Sequence, residues 1–319
     1  MNHTDLKQIL STIHTFEDYE PLKQQIGEEL GKAIINKLQL PKLPLMLFPE
    51  GTNIVFSYGN NVIKIFPPFH LNQFKNEQAV LRHVDGKLSL QTPKLEYEGE
   101  LWGWPYLIIT KLEGTLLENL WETMAHDNKM IILHELGMLI REVHALPTDG
   151  LEGMDCYWPQ FLEKQIAQCV KHHQVKGLPK TLLEQLPAYL AAARENLPEL
   201  KKPVILTGEY TPMNFLVKQV NGVWHISGLI DFGDAMLGLP QYDLLGPGAF
   251  LIQGNKQLLQ TFLLAYGYLP EELTDALSKQ LTALMLLHQY SNLDIQVRIP
   301  NWKEKVSNLQ DLENLVWGF

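Results

Sequence analysis

Asn214 and Asp231 carry oxygen donors of the kind a hard divalent cation binds, and the residues between them are patterned to bring the two together. Residues 215–220 and 223–230 read as strands. Between them, Asn221-Gly222 is the dipeptide that best supplies the positive φ angles of a tight type I′ turn. With Val220 opposite Val223, counting back along both strands sets Asn214 opposite Leu229, and Asp231 lies two residues further on. Cross-strand partners share a face, as do alternate residues, so the two side chains are expected as a diagonal pair roughly 7–8 Å apart between backbones. Magnesium draws only one or two oxygens from protein and completes its octahedron with water and phosphate, so this sparse pair is chemically sufficient. Taken alone, the same residues equally describe an ordinary hairpin with solvated polar ends.

A second pairing involves a cation inside an apolar strand. Lys64 interrupts Val62-Ile63-Lys64-Ile65-Phe66, and Pro67-Pro68 ends that run because proline cannot donate to a ladder. In the helix that follows, Phe74, Glu77, Leu81 and Val84 recur at three- and four-residue steps, which places Glu77 on the apolar stripe. An inward carboxylate without a cation is too costly to bury, so Lys64 is its expected partner, against the alternative of two unrelated surface charges.

These residues need a scaffold of two characters. Short strand-like runs at 45–48, 54–58, 62–66 and 106–110 follow a helical N-terminal segment, and one helix interrupts them. From about Asp127 the pattern turns helical, with Met130, Leu133, Leu136, Ile140 and Val143 on one stripe, and residues 258–266 and 281–290 continue it. The expectation is an α+β chain with a small antiparallel sheet at the N-terminal end and a larger, mainly helical C-terminal part. The division falls as residues 1–110, a connector at 111–114 and residues 115–319.

Val204-Ile205-Leu206 leads into Thr207-Gly208-Glu209-Tyr210-Thr211-Pro212-Met213-Asn214, and Ile230-Asp231-Phe232-Gly233-Asp234 comes later. Together with Gly238-Leu239-Pro240-Gln241-Tyr242-Asp243-Leu244, these segments resemble the aminoglycoside phosphotransferase family. That family's catalytic loop reads His-Gly-Asp with an Asn five residues after the Asp, followed by Asp-Phe-Gly and a Gly-Asp-Pro-x-Tyr-Asp-Leu stretch. The likeness is sharp over residues 207–244 and extends from about residue 45 to about residue 290. It implies a bilobal protein-kinase-like fold, ATP and Mg2+ as cofactors, and transfer of the γ-phosphate to a hydroxyl of a small molecule, aminoglycoside-like or another alcohol.

On that resemblance Glu209 orients the acceptor, Asn214 and Asp231 hold the metal, and Lys64 fixed by Glu77 meets the phosphates. Backbone amides of Gly51, Thr52 and Asn53 would cap the phosphates, although this loop has no G-x-G-x-x-G and reads equally as a turn. Backbone groups at Lys111, Leu112 and Glu113 would pair with the adenine edge, and Asp243 would brace the catalytic loop. Two positions depart from the family: its histidine is Thr207 here, and its catalytic aspartate is Glu209. The readings are therefore an enzyme that works through a carboxylate one methylene longer, or a nucleotide-binding protein that is slow or silent.

Composition narrows the rest. With 26 Lys plus Arg against 36 Asp plus Glu, the net charge of -10 repels a phosphate backbone and argues against nucleic acid as partner. At 45% hydrophobic and 19% charged residues the chain buries a core, and no run is long enough to span a bilayer. The polar Asp5, Lys7 and Gln8 break any signal-like stretch, so a cytoplasmic location is expected. Cys156 and Cys169 are too few for a disulfide framework and read as reduced core thiols. His134-Glu135 lacks the second histidine of a zinc helix and reads as helix surface. Adjacent His172 and His173 point to different sides of a helix, and His144 sits where it meets a helix C-terminal dipole. Trp121, Tyr157, Trp158, His288 and Tyr290 are pocket candidates that core packing explains equally well.

Overall fold

Glycine- and asparagine-containing two-residue turns make the hairpins on which the fold is organised. The computed structural model describes residues 3–154, 158–195 and 197–319; Cys156 and Tyr157 lie outside the described residues. The chain divides into two compact units, one holding the residues up to Lys87, Gln91–Glu113 and Asp231–Asp234, the other Leu88–Leu90, Gly114–Ile230 and Ala235–Phe319.

The first unit opens with helices α1 (His3–Leu10) and α2 (Lys23–Lys37), followed by strands β1 (Leu45–Phe48), β2 (Ile54–Tyr58) and β3 (Asn61–Ile65). Helix α3 (Leu71–Val84) and strands β4 (Leu95–Leu101) and β5 (Trp104–Thr110) complete it. All neighbouring strands are antiparallel, in the order β1-β2-β3-β5-β4. Leu6, Leu10, Ile26, Leu30 and Ile34 from the helices share one core with Phe56, Ile63, Ile65 and Ile108 from the sheet. Each such side chain, fully buried, contributes about 1.5–3 kcal/mol of apolar transfer. Strand β4 escaped the sequence pattern because it is a charged edge strand, Leu-Glu-Tyr-Glu-Gly-Glu-Leu, and its acidic residues blunt the open edge.

The second unit contains β6 (Thr115–Leu116), α4 (His126–Ala145), α5 (Trp158–Val175), α6 (Leu186–Arg194), β7 (Val204–Leu206), β8 (Phe215–Val220), β9 (Val223–Leu229) and β10 (Met236–Gly238). Helices α7 (Lys256–Tyr266), α8 (Asp275–Leu286) and α9 (Leu309–Trp317) follow. β8 and β9 form the expected hairpin with Val220 paired to Val223, and both Asn221 (φ 51) and Gly222 (φ 85) are left-handed, as a type I′ turn demands. The register further along differs from the simple count. Val217 faces Ile226 but Leu216 faces Gly228, so Ser227 is the extra residue of a β-bulge. Asn214 is therefore opposite Ile230, whose amide donates to its carbonyl at 2.9 Å, and not opposite Leu229. The helical stretch expected at 281–290 also stops early, at Leu286, so His288 and Tyr290 stand in the turns beyond α8.

Candidate active site

In the first unit, β3 and α3 bring Lys64 and Glu77 together as their periodicities require. Lys64 is 5% exposed and Glu77 fully buried, and the ammonium lies 2.8 Å and 2.6 Å from the two carboxylate oxygens. It also donates to Asp231 Oδ1 at 3.0 Å. Burial alone would discharge Lys64, but Asp231 and Glu77 outweigh it and hold the ammonium charged, its pKa raised. Burial pushes the Glu77 carboxyl up, against the pull of Lys64. At Asp231 partial desolvation is outweighed by Lys64, and with the Gly233 amide's help its pKa is held below the ordinary carboxylate range.

Asp231 does not continue the pleat of β9. Its backbone is left-handed (φ 68), a conformation aspartate tolerates because its carboxylate bonds its own backbone, here the Gly233 amide at 3.2 Å. Asp231 therefore does not share a strand face with Asn214 by alternation, as the residue count implies it would. Its side chain is 46% exposed, as a cation ligand must be, and its hydrogen bonds fall on Oδ1.

The loop before β2 is tied down by side chains that the sequence reading did not single out. Lys23 donates to the Gly51 carbonyl, while the buried Asn53 sets its Oδ1 2.9 Å from His70 Nδ1 and its Nδ2 3.1 Å from Gln73. Gln73 in turn donates to Asp234 at 3.1 Å. The signal for Gln73 was its position one helical turn before Glu77 on the same face. Thr52 stands exposed between Gly51 and Asn53. At the expected connector, the Lys111 amide already donates to Asn60 O at 2.8 Å and its ammonium to Ser57. The Lys111 amide is thus spent within the sheet, which leaves its carbonyl as the backbone group it could offer an adenine.

In the second unit the catalytic-loop motif starts where β7 ends. Gly208 takes φ 82, open to glycine without a Cβ penalty, and this turns both its own amide and that of Thr207 toward Asp243. Asp243, 3% exposed, accepts Thr207 N at 3.0 Å and Gly208 N at 3.2 Å, the bracing expected of it. His144 stands in the last turn of α4, where the dipole reading placed it, and its ring also has side-chain partners. Its Nε2 lies 3.1 Å from Asp243 and its Nδ1 3.0 Å from the Tyr266 hydroxyl, so it supports the brace from behind.

After Glu209, a 3-10 turn at Pro212–Asn214 delivers Asn214, which is buried. Its Nδ2 donates to Glu209 O at 3.0 Å and lies 3.4 Å from Glu209 Oε2. Anchoring the amide nitrogen on the loop turns the carbonyl oxygen the other way, the end that binds cations.

A cavity of about 140 Å3 adjoins this loop, with Glu209, Tyr242, His288 and Tyr290 in its wall. Of the other aromatic candidates, Trp121 is core, donating to Leu251 O at 3.0 Å, and Trp158 packs edge-on against Tyr242. Glu135 proves more than helix surface: it accepts from Ile226 N at 2.8 Å and contacts His225, fixing β9 beside the bulge. His172 and His173 each bond a backbone carbonyl, of Ser291 and Leu286, and burial pushes the Cys169 thiol up to about 12, so it stays protonated.

The model of the phosphotransferase enzyme family, APH, matches residues 54–276 of the 319. The chain belongs to this phosphotransferase family. Solved structures similar to this family member include the GDP complex of wild-type aminoglycoside 2′-phosphotransferase-IIIa, with TM-score 0.68 and 19% identity over 91% of this chain and 97% of that one. Another is aminoglycoside phosphotransferase APH(4)-Ia, with TM-score 0.61 and 21% identity over 89% of this chain and 97% of that one. A third is the streptomycin-ATP-APH(2″)-IIa ternary complex, with TM-score 0.57 and 16% identity over 88% of this chain and 96% of that one. The phosphotransferase thus has the protein-kinase-like fold, an antiparallel N-terminal sheet followed by a mainly helical part. Among the described residues of this phosphotransferase, no helix is long and apolar enough to cross a membrane.

Proposed function

We propose that the protein is an ATP- and Mg2+-dependent phosphotransferase that moves the γ-phosphate to a hydroxyl of a small molecule, aminoglycoside-like or another alcohol. The observation that carries this reading is the buried Lys64–Glu77 pair in contact with Asp231, a cation held charged next to an exposed carboxylate. The donor set suits a magnesium-bound nucleotide. Asp231 spends Oδ1 within the protein and presents Oδ2, and Asn214 spends its nitrogen on Glu209 and presents its oxygen. Bound magnesium would neutralise phosphate charge during transfer.

In this reading Lys64 donates to phosphate oxygens while Glu77 keeps it from swinging away, and Asn214 and Asp231 hold the metal. Glu209 accepts the proton of the acceptor hydroxyl. Amides of Gly51, Thr52 and Asn53 cover the phosphates, backbone groups of Lys111, Leu112 and Glu113 meet the adenine edge, and residues 111–114 connect the lobes. A cytoplasmic location goes with ATP as donor. Titration with ATP and magnesium, followed by ADP release over a panel of alcohols, tests the proposal; failure to bind any nucleotide ends it.

A second reading rests on Thr207 and Glu209, which replace the family's histidine and aspartate. The longer Glu209 turns back toward Asn214, Oε2 to Nδ2 at 3.4 Å, and a displacement of about 1 Å at such a group costs on the order of a hundredfold in rate. A weak or silent nucleotide-binding protein would be stabilised by ATP without product on any acceptor. Product restored by Glu209→Asp with Thr207→His would assign the silence to those two positions.

A further inference from the structure

We infer that the acceptor is a compact, uncharged alcohol, a single ring or short polyol of about six to ten non-hydrogen atoms, and not a polycationic aminoglycoside. The inference rests on the phosphotransferase reading and names the substrate class of the same site. Size is the first argument. The cavity beside the catalytic loop measures about 140 Å3. Cavities of ~150 Å3 take one benzene-sized ring, whereas sites for drug-sized ligands run to about 300–1,000 Å3.

Charge is the second argument. Among the described residues, Glu209 and Asp243 are the only acidic side chains in the cavity wall, and no lysine or arginine lines it. Asp243 is committed to Thr207 N, Gly208 N and His144. Glu209 is the carboxylate that the proposed reaction assigns to the acceptor hydroxyl. An aminoglycoside brings several ammonium groups, each costing several kcal/mol to desolvate without a partner carboxylate. An anionic acceptor would lack a cation here just as completely.

The wall itself is the third argument. The His288 and Tyr242 rings lie stacked, centroids 4.6 Å apart and planes 16° from parallel. Tyr290 N donates to His288 Nδ1 at 3.2 Å, which places the imidazole proton on Nε2, and burial pushes the pKa of His288 down to about 4. At neutral pH the imidazole is therefore an uncharged donor on a flat aromatic face. Ile295, Met285 and Phe250 add apolar surface to the wall, and Thr211, Asn292 and Gln296 add uncharged polar groups. Such a surface accepts the face of a small ring and offers an ammonium group no counter-charge.

The test has two stages. Thermal stabilisation by ATP and magnesium establishes the nucleotide site first, and its absence would dispose of the underlying phosphotransferase reading. With nucleotide bound, monocyclic polyols, their amino-substituted counterparts and streptomycin are compared by ADP release and by thermal shift. The expected result is that a neutral member binds and reacts with kcat/KM at least tenfold above its amino counterpart and above streptomycin. In the Gln296→Glu variant, which adds a wall carboxylate, that preference should shrink about tenfold. A higher kcat/KM for streptomycin or for the amino compounds overturns the inference while leaving the reading intact. So does a nucleotide-loaded protein that binds no neutral member at millimolar concentration, and so does a preference unmoved by Gln296→Glu.

Discussion

The carboxylate of Asp243 accepts the backbone amide of Thr207 at 3.0 Å, joining the 3-10 turn Pro240–Leu244 to the residue that follows β7. Gly208 N and His144 complete the arrangement, so one buried aspartate holds the loop turn and is itself held from behind. In Asp243→Ala the buried Thr207 amide, the part-buried Gly208 amide and an imidazole lose their acceptor, and stability should fall by about 2–4 kcal/mol, measured by denaturant unfolding. Turnover should fall further than a global stability loss explains, because Glu209 follows this turn directly.

Lys64 and Glu77 test stability against function. Lys64→Met leaves a buried carboxylate unpaired and should cost about 3–5 kcal/mol. Lys64→Met with Glu77→Leu restores an apolar interior, so unfolding should return to within about 1–2 kcal/mol of the parent. Thermal stabilisation by ATP should nonetheless be lost in both variants. If the double variant retains it, Lys64 is not the phosphate contact.

Asp231→Asn removes the exposed metal carboxylate while preserving a side chain that can accept from Gly233. The unfolding midpoint should change little. Magnesium-dependent stabilisation by ATP should disappear, and ADP release should drop by at least about a hundredfold.

Glu209→Gln keeps the contact to Asn214 but removes the proton acceptor. A fall in kcat of about 10²–10⁴ with KM for ATP unchanged is expected from steady-state ADP release. Equal activity of the variant would transfer the catalytic role elsewhere.

Burial holds His70, His173 and His288 below the ordinary imidazole range, His288 down to about 4. The unfolded chain binds protons from about pH 6.5 downward while these folded-state groups stay neutral, so stability is full above that pH and falls as pH drops toward 4. Thermal melts across that window should show the loss, and His288→Gln should reduce it by on the order of 1–3 kcal/mol.

Local pattern carried the elements of this chain a long way. Strand alternation and helical steps put Lys64 and Glu77 on facing surfaces, Asn221-Gly222 set the hairpin turn, and the spacing from Thr207 to Leu244 pointed to the family. These features depend on neighbours within a few residues, which the sequence states directly.

Tertiary structure decided the rest, because it depends on groups distant in sequence. The bulge at Ser227, beside the contact from Glu135, moved Asn214 opposite Ile230, and the left-handed backbone at Asp231 released it from the pleat. The edge strand Leu95–Leu101 is polar because it is an edge, which its own residues reveal only once its neighbour is known. The size and charge of the cavity beside Glu209 arise where residues 208–213, 242–250 and 285–296 converge. No one segment encodes a cavity; only the packed chain encloses it.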